Sequence, residues 1–570
     1  MSLQSRFSLG PAAFYDGCKG TVGVGKNMLG LMQDWPLLVH KIIDHAALYH
    51  GGREIVTRSV EGPIVRTDYL TVASRSRRVA KALVKSGIKS GERVGTLAWN
   101  SANHLELWYG IAGMGGVYHT LNPRLHPDQI AWIANHAEDR ALFFDTTFHS
   151  TVEQIAPKLK KVKYFVALTD RANLPKSSIP KLMAYEDFIA KVDDKFEWRE
   201  FDEHTACGLC YTSGTTGNPK GVLYSHRSNV LHALIASQAD AQGVRNVDTV
   251  LPVVPMFHAN AWALAFAGPL IGAKLVMPGP KLDGASIYEL LDTEKITMTA
   301  AVPTVWLNLL QYLEANNLKL PYLKRVLIGG SAAPRAMIEA FETKYDVEVV
   351  HAWGMTEMSP LGTLGTIKAH LSDLPYQQKL DYKMKQGHPP FGVEMKIVDD
   401  KNKELPRDGK AFGRLKVRGP AIAKGYFKGE GKEAFDKEGW FDTGDVATLD
   451  ADGYMTIVDR AKDVVKSGGE WISTIDIENL AVGHPAVAEA AVIGVPHPKW
   501  DERPLLIIVL KPGRTATKEE ILQFLEGKIA KWWMPDDVVF VDEIPHTATG
   551  KILKTALRER FGKHSLPTAK

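Results

Sequence analysis

Cysteine is scarce in this chain: Cys18, Cys207 and Cys210 are the only three among 570 residues. Three thiols cannot build the framework that staples small secreted domains, so a disulfide scaffold is excluded. Cys207 and Cys210 form a C-x-x-C pair, but a redox motif carries its first thiol at a helix N-terminus. These two lie instead in the apolar run ACGLCY. Buried strand thiols are the plainer reading, and two cysteines fall short of the four ligands of structural zinc. Long apolar runs are missing as well. The most apolar segment, Ala261 to Ala273, is broken by Gly268 and Pro269 and ends at Lys274, short of the roughly 20 residues that span a bilayer. The N-terminal MSLQSRFSLGPAAFYDGCKG has no continuous apolar stretch, so no secretory signal is read there. No membrane span is expected, and a cytoplasmic setting is the default. Charge of one sign is not in excess either: 69 Lys+Arg against 65 Asp+Glu leave +4, which argues against a nucleic-acid partner. No repeat or low-complexity segment stands out.

What the chain has is ordinary globular composition, 45% hydrophobic and 24% charged, and a length that implies several domains. Its middle alternates short β-branched runs with helical patterns: TVLPVVP, the helix-like AWALAFAGPLIGA, KLVMP, ASIYELLDTEK, ITMTAAVP, TVWLNLLQYLEAN, VLIGG, RAMIEAFETKY and VEVVHAWG. That rhythm means βαβ units and a parallel sheet covered on both faces. It occurs earlier too, in RVGTLAW, a helix through 105–112, VYHTLNP, PDQIAWIANHAE, RALFFD and KYFVALTD. Two α/β sheets in series are expected. Beyond Pro390 the text turns to strands and turns (VEMKIVDDKNKELP, GRLKVRGP, GYMTIVD), a compact β subdomain, and beyond Arg460 to a small α+β unit. The fold class is therefore α/β: a large N-terminal domain with two parallel sheets plus a β subdomain, and a small α+β C-terminal domain. The expected bounds are 1–27 for an N-terminal extension of little secondary-structure signal, 28–459 for the large domain and 460–570 for the small one, with Met28 able to serve as a start.

Ligands gather outside the carboxyl ends of parallel strands, and four stretches fall there. YTSGTTGNPKGV opens at Tyr211. Its Thr212, Ser213, Thr215 and Thr216 offer hydroxyl donors, Gly214 and Gly217 free the backbone N–H groups, and Lys220 adds a charge, all suited to phosphate. It is not the nucleotide loop of P-loop NTPases, which needs G-K-[ST], because Pro219 and Gly221 flank the lysine. IGGSAAP follows a strand, and its glycines permit close approach to a flat ligand or simply make a tight turn. In HAWGMTE, Trp353 can stack on a base, Thr356 can donate to a phosphate, and Glu357 is a hard oxygen ligand for Mg²⁺. In GWFDTGD, Asp445 at the end of a turn can accept both hydroxyls of a ribose. Together these supply what ATP needs.

YTSGTTGNPKGV, HAWGMTE, GWFDTGD, DRAKDVVKSGGEWIS and the C-terminal TATGKILK resemble, in order, the signature series of AMP-forming acyl-CoA synthetases in the adenylate-forming superfamily. MFHANAW, KSGGEWIS and HPKWDERP look most like the medium- and long-chain fatty acyl-CoA ligases and the methylmercaptopropionyl-CoA ligases. The resemblance implies a two-step ligase. A carboxylic acid and ATP give an acyl-adenylate and pyrophosphate, and the thiol of coenzyme A then displaces AMP; the acid is a fatty acid or methylmercaptopropionate. It implies that Lys551, on a mobile C-terminal domain, bridges carboxylate and α-phosphate, with Thr356 and Lys462 also serving the chemistry. Thr212 and Glu357 lie near Mg²⁺, and Gly330, His351, Ala352 and Trp353 surround adenine. Asp445 and Arg460 hold the ribose, and Lys462, Lys466 and Trp471 follow the nucleotide and pantetheine path. His258, Ala259 and Trp262 line the acyl pocket, with Trp262 as its gate and Val302, Val305 and Trp306 as further wall. Trp353 stands where many relatives carry tyrosine, and Lys462, at the family's pivot, where many carry aspartate. Two other readings stay open: an adenylation enzyme that loads a separate carrier protein, and a non-catalytic nucleotide-binding relative. A homodimer is also left open.

Overall fold

The structure, a computed structural model, describes residues 30–212, 219–461, 463–468, 470–546 and 552–569. Contacts divide the chain after Pro36. In the first unit the described residues, 30–36, form neither helix nor strand. The second unit, Leu37–Lys570, carries the sheets and helices.

A seven-stranded sheet runs in the order Met183–Ala184, Tyr164–Ala167, Ala141–Phe144, Arg93–Leu97, Val117–Thr120, Ala206–Tyr211, Gly221–Ser225. Its neighbours are parallel except the last two strands, an antiparallel hairpin. An eight-stranded sheet runs Leu361–Leu364, Glu348–Gly354, Arg325–Ile328, Met298–Ala301, Thr249–Pro252, Lys274–Met277, Glu54–Arg58, Ile64–Asp68. It is parallel inside and antiparallel at both edges. The sheets are therefore not strictly in series. Glu54–Arg58 pairs with Lys274–Met277, so the chain begins in the second sheet, builds the first, and returns. Nothing local in EIVTR specifies a partner that far away.

Successive strand residues point to opposite faces, and here they fall into different cores. Ile55, Val250, Leu275, Leu327 and Val350 belong to one cluster; their neighbours Val56, Leu251, Val276, Val326 and Val349 belong to another. Both faces of the eight-stranded sheet are thus covered, which is why its strands read as unbroken apolar runs. The first cluster also takes Val94, Tyr118 and Phe143 from the seven-stranded sheet, and residues of Val39–His50, Tyr69–Lys85, Ala102–Gly113, His226–Ala236 and Leu264–Ile271. Those helices form a shared layer between the sheets. Ala102–Gly113, buried on nearly every side, is its centre, as expected of a helix that is apolar all round. Gly284–Thr293 and Pro303–Ala315 cover the outer face of one sheet; Pro127–Ala137 and His149–Ile155 cover that of the other.

The β subdomain is an antiparallel sheet of Glu394–Val398, Gly413–Arg418, Phe441–Leu449 and Met455–Arg460. The C-terminal part is α+β. Val465–Ser467, Glu470–Ile472, Val487–His497, Asp501–Leu510 and Asp537–Phe540 make its sheet, with helices Thr474–Val482, Lys518–Leu525 and Lys554–Phe561. Among the described residues no helix is long and apolar enough to cross a membrane.

Cys207 and Cys210 lie on the strand Ala206–Tyr211, buried and unbridged. Three steps along a strand span about 10 Å, too far for a disulfide. Burial pushes the Cys207 thiol up to about 12 and raises Cys210 as well, so neither offers a thiolate near neutral pH.

Candidate active site

A cavity of about 530 Å³ opens at the carboxyl ends of strands from both sheets. From the eight-stranded sheet come His258, Ala259 and Trp262 after Thr249–Pro252, Leu327, Gly329 and Gly330 at the end of Arg325–Ile328, and Ala352 to Glu357 at the end of Glu348–Gly354. Thr212 comes from the seven-stranded sheet, and Tyr426, Phe441 to Gly444 and Arg460 from the β subdomain. The sequence-expected Thr212, Lys220, His258, Ala259, Trp262, Gly330, Ala352, Trp353, Thr356, Glu357 and Arg460 all line it.

The first glycine-rich loop is the tip of a hairpin, not a strand-to-helix turn. Thr212 N–H donates to the Lys220 carbonyl at 2.9 Å, and Lys220 N–H donates to Thr212 Oγ1 at 3.2 Å, so its two ends are pinned together. Ser213, Gly214, Thr215 and Thr216 lie outside the described residues. Lys220 Nζ stands 3.5 Å from Glu433 Oε1 and 5.2 Å from the centre of the Tyr426 ring.

Glu357 sits in a single turn, Thr356–Met358, and is only 5% exposed. A buried carboxylate needs donors, and Tyr426 supplies one: its hydroxyl donates to Glu357 Oε1 at 2.6 Å. Burial first, then the Glu357 charge, raises the phenol well above its usual 10, so it stays a donor. The turn is also held by its backbone. Ala423 N–H donates to the Glu357 carbonyl at 2.7 Å, Ser359 Oγ donates to the Ala421 carbonyl at 2.7 Å, and Tyr224 donates to the Thr356 carbonyl at 2.7 Å. The sequence reading missed Tyr426, which lies in a stretch it did not single out; a second glycine-rich stretch, GYFKGEG, was the signal there.

Asp445 is not at the end of a turn, as the sequence suggested, but inside Phe441–Leu449. Its cross-strand partner is Arg460, and the register that faces opposite charges across a ladder brings Arg460 Nε to 3.0 Å from Asp445 Oδ1. Trp353 Nε1 donates to Asp445 Oδ2 at 3.2 Å, tying the HAWGMTE stretch to the β subdomain. His351 lies behind the cavity wall, where its Nε2 accepts from Ala333 N–H at 3.4 Å, and burial lowers its pKa. Lys466 is exposed on a strand of the C-terminal sheet and does not line the cavity. Lys462, Lys551 and the Trp471 side chain lie outside the described residues. Val302 and Val305 are not in the lining, and Trp306 is core: fully buried, it donates to the Leu327 carbonyl at 3.3 Å.

The run AWALAFAGPLIGA holds the largest departure. Its helix starts only at Leu264. Ala259, Asn260, Ala261, Trp262 and Ala263 have φ of 43, 56, 50, 52 and 70°, one left-handed turn. Such a conformation costs an L-residue roughly 1–2 kcal/mol and persists only where the surroundings over-determine it. The turn lays the indole of Trp262 on Gly329, where a Cβ would come within 3.0 Å of the ring. Gln242 Nε2 donates to the Trp262 carbonyl at 2.7 Å.

His232, on His226–Ala236, steadies the strand after the Glu357 turn: its Nε2 accepts the Leu361 N–H at 2.9 Å. An accepting ring nitrogen carries no proton, and burial lowers this pKa from 6.5 to about 3. Between those values the unfolded chain binds one proton more than the folded one, so stability falls as pH falls. His232→Gln keeps an acceptor but no titration. On going from pH 6 to pH 5 the parent should lose about 1 kcal/mol more in urea unfolding than the variant; equal losses would mean that the imidazole is not held neutral.

Among known families, a model described as AMP-binding enzyme matches residues 43–427, and one described as AMP-binding enzyme C-terminal domain matches 476–551. The chain is 52% identical over 534 residues to the 3-methylmercaptopropionyl-CoA ligase of Ruegeria lacuscaerulensis, covering 94% of this chain and 99% of that one. It is 48% identical over 535 residues to the medium-chain-fatty-acid–CoA ligase of Ectopseudomonas oleovorans, covering 94% and 98%. Among solved structures, the anthranilate CoA ligase AuaEII in complex with anthranoyl-AMP superposes with a TM-score of 0.82 at 26% identity, covering 93% of this chain and 99% of that one.

Proposed function

Because the chain belongs to the AMP-binding enzyme family and is an AMP-forming acid–CoA ligase, we propose that its acid is a fatty acid or methylmercaptopropionate, taken up beside Trp262. ATP and coenzyme A are the co-substrates, and they fit a cytoplasmic setting. In the first half-reaction the carboxylate attacks the α-phosphate and expels pyrophosphate; in the second, the coenzyme A thiol attacks the acyl carbonyl and expels AMP. The observation that carries the choice of acid is the left-handed turn. It sets Trp262 against Gly329 in a wall that Ala259, Leu327 and Leu361 complete without a charge. Relatives named for methylmercaptopropionate and for medium- and long-chain fatty acids support it. A panel from propionate and methylmercaptopropionate to palmitate, scored by kcat/KM for pyrophosphate release, tests it. An aromatic or amino acid as best substrate would refute it. Trp262→Ala should change the octanoate-to-propionate preference by about tenfold or more while the ATP KM holds. A lowered melting temperature with an unaltered acid profile would make Trp262 plain core.

The remaining work is divided among the other expected residues. Thr212, Ser213, Gly214, Thr215, Thr216 and Lys220 receive the phosphates, and Gly330, His351, Ala352 and Trp353 form the adenine side. Asp445 and Arg460 take the ribose, and Lys466 and Trp471 serve the coenzyme A path. Residues 28–459 form the binding domain and 460–570 the domain that turns on it.

Mg²⁺ binds through one or two carboxylates, substrate phosphates and water. The Glu357 carboxylate and Thr212 hydroxyl facing the cavity fit that demand. Among the described residues no cluster of three His, Cys, Asp or Glu would hold the ion without the nucleotide. Bound with ATP, the ion would neutralise phosphate charge; the protein's part is to keep the Glu357 carboxylate aimed. Tyr426 orients it, and losing such an outer partner costs about tenfold or more in metal affinity. Tyr426→Phe should therefore raise the Mg²⁺ concentration for half-maximal adenylation by about that factor, with the acid KM unmoved. An unchanged Mg²⁺ requirement would remove Tyr426 from this role.

A further inference from the structure

Asn260, second in the left-handed turn, is 1% exposed and belongs to a closed ring of hydrogen bonds. The Tyr118 hydroxyl donates to Asn260 Oδ1 at 3.2 Å. Asn260 Nδ2 donates to Asn229 Oδ1 at 3.3 Å. Asn229 Nδ2 donates to the Tyr118 oxygen at 2.9 Å, and also reaches Cys207 Sγ at 3.3 Å. Within the ring each side chain gives one bond and receives one, all in the same rotational sense, deep between the two sheets. Buried polar groups are retained only where they are satisfied, and a fully satisfied network rigidifies what it joins.

The three members come from three elements. Tyr118 is on the strand Val117–Thr120 of the seven-stranded sheet, Asn229 on the helix His226–Ala236, and Asn260 in the turn that follows a strand of the eight-stranded sheet. Tyr118 is itself fixed. It stacks on Trp108 with ring centres 4.6 Å apart and 10° between planes. On its other flank Gly208 leaves room that a Cβ, 2.4 Å from Tyr118 Cζ, would take.

Asparagine tolerates the left-handed region where alanine and tryptophan do not. Here the one asparagine of the turn is also its one member in the ring, two residues before the indole it must aim. At the far end Gln242 holds the Trp262 carbonyl. The turn is thus clamped at both sides of Ala261, and the clamps differ: Gln242 lines the cavity, whereas none of the ring residues does.

We infer that the Tyr118–Asn229–Asn260 ring determines which acids the enzyme accepts, by holding the strained turn that fixes Trp262 in the cavity wall without touching the substrate itself. These are positioning residues. When the ring is opened, the strained backbone relaxes toward ordinary dihedrals and the indole no longer rests on Gly329, so the space offered to the acyl chain changes. The nucleotide side, built from Glu348–Gly354 and the β subdomain, is left as it was. This inference rests on the reading of the Trp262 wall as the acid site.

Tyr118→Phe opens the ring by one hydroxyl and keeps the stack on Trp108. Asn260→Gly removes the amide while leaving a residue that takes positive φ without strain. Trp262→Ala serves as the control on the acid site. Each is scored by kcat/KM for propionate, octanoate and palmitate, by ATP KM, and by melting temperature. Both ring variants should shift the octanoate-to-propionate ratio by about fivefold or more, with the ATP KM within about twofold of the parent. If Trp262→Ala shifts the ratio and neither ring variant does, the ring is overturned and the acid site stands. If none of the three shifts it, the acid site itself is wrongly placed and the ring proposal falls with it. A uniform loss over all acids alongside a lower melting temperature makes the ring a structural feature only, which also overturns it. Should Tyr118→Phe fail to fold, Asn260→Gly decides alone.

Discussion

Lys551→Ala is expected to slow pyrophosphate release from acid and ATP by about 10²–10³-fold, while thioester formation from pre-made acyl-adenylate persists. Adenylation brings two anions together and builds negative charge on the phosphate oxygens, and a single positioned donor in a water-poor site is worth about that much. Among the described residues that line the cavity, Lys220 and Arg460 are the lysine and the arginine, but each is engaged: Lys220 beside Glu433 and Arg460 on Asp445 and the Thr443 carbonyl. Lys551 follows the glycine of TATGK, and His546 and Ile552 on either side of it are bridged. The flexible ammonium of lysine suits a target that moves as the bond forms. An equal loss in both half-reactions would remove Lys551 from this role.

Lys462→Pro is expected to leave adenylation standing and to reduce thioester formation by about a hundredfold, with acyl-adenylate accumulating on the enzyme. With Lys551 proposed over the α-phosphate in the first half-reaction, and coenzyme A needing the same approach in the second, one has to give way to the other. Position 462 separates Met455–Arg460 of the β subdomain from Val465–Ser467 of the C-terminal sheet. Among the described residues, the bonds across it gather on three residues of Met455–Arg460. Ser473 Oγ donates to the Val458 carbonyl at 2.9 Å, Thr474 N–H and Oγ1 both donate to Asp459 Oδ2, Lys554 Nζ stands 4.0 Å from Asp459, and Asp463 and Val464 N–H donate to the Arg460 carbonyl at 2.8 and 2.9 Å. A turn about 462 would exchange these bonds among the described residues, and a hinge needs only a few residues to absorb the change in φ and ψ. Proline fixes one φ near −65° and removes an N–H. Normal rates in both halves would put the pivot elsewhere or make the rotation unnecessary.

The parallel sheets were legible because their inner strands are buried on both faces: Val250 and Leu251, or Val349 and Val350, are apolar together. The β subdomain was legible from its turns. What could not be read was pairing at long range. The strand Glu54–Arg58 gives no hint that Lys274–Met277 is its neighbour, and Asp445 was taken for a turn residue because the glycine before it masks a nine-residue strand. The left-handed turn was hidden for a sharper reason. Alanine and tryptophan are good company for a helix, and AWALAF has the composition of one; the conformation is imposed by Asn229, Tyr118 and Gln242, none of which is nearby in sequence. Glu357 was found from its motif, but Tyr426, which aims it, lies in a connection with no period to detect.

The return of the chain to its first sheet has a consequence for how the protein is made. A nascent chain leaves the ribosome at about 5–20 residues per second. Glu54–Arg58 emerges early, but the strand it pairs with in parallel, Lys274–Met277, follows some 219 residues later (277 minus 58). For about 10 to 40 seconds the hairpin of Glu54–Arg58 and Ile64–Asp68 has one edge without its partner, while the strands of the other sheet can already assemble beside it. Slow translation before Met277 would lengthen that interval and fast translation shorten it, so the yield of folded enzyme should depend on codon choice in this stretch more than in the C-terminal part, whose strands pair with near neighbours.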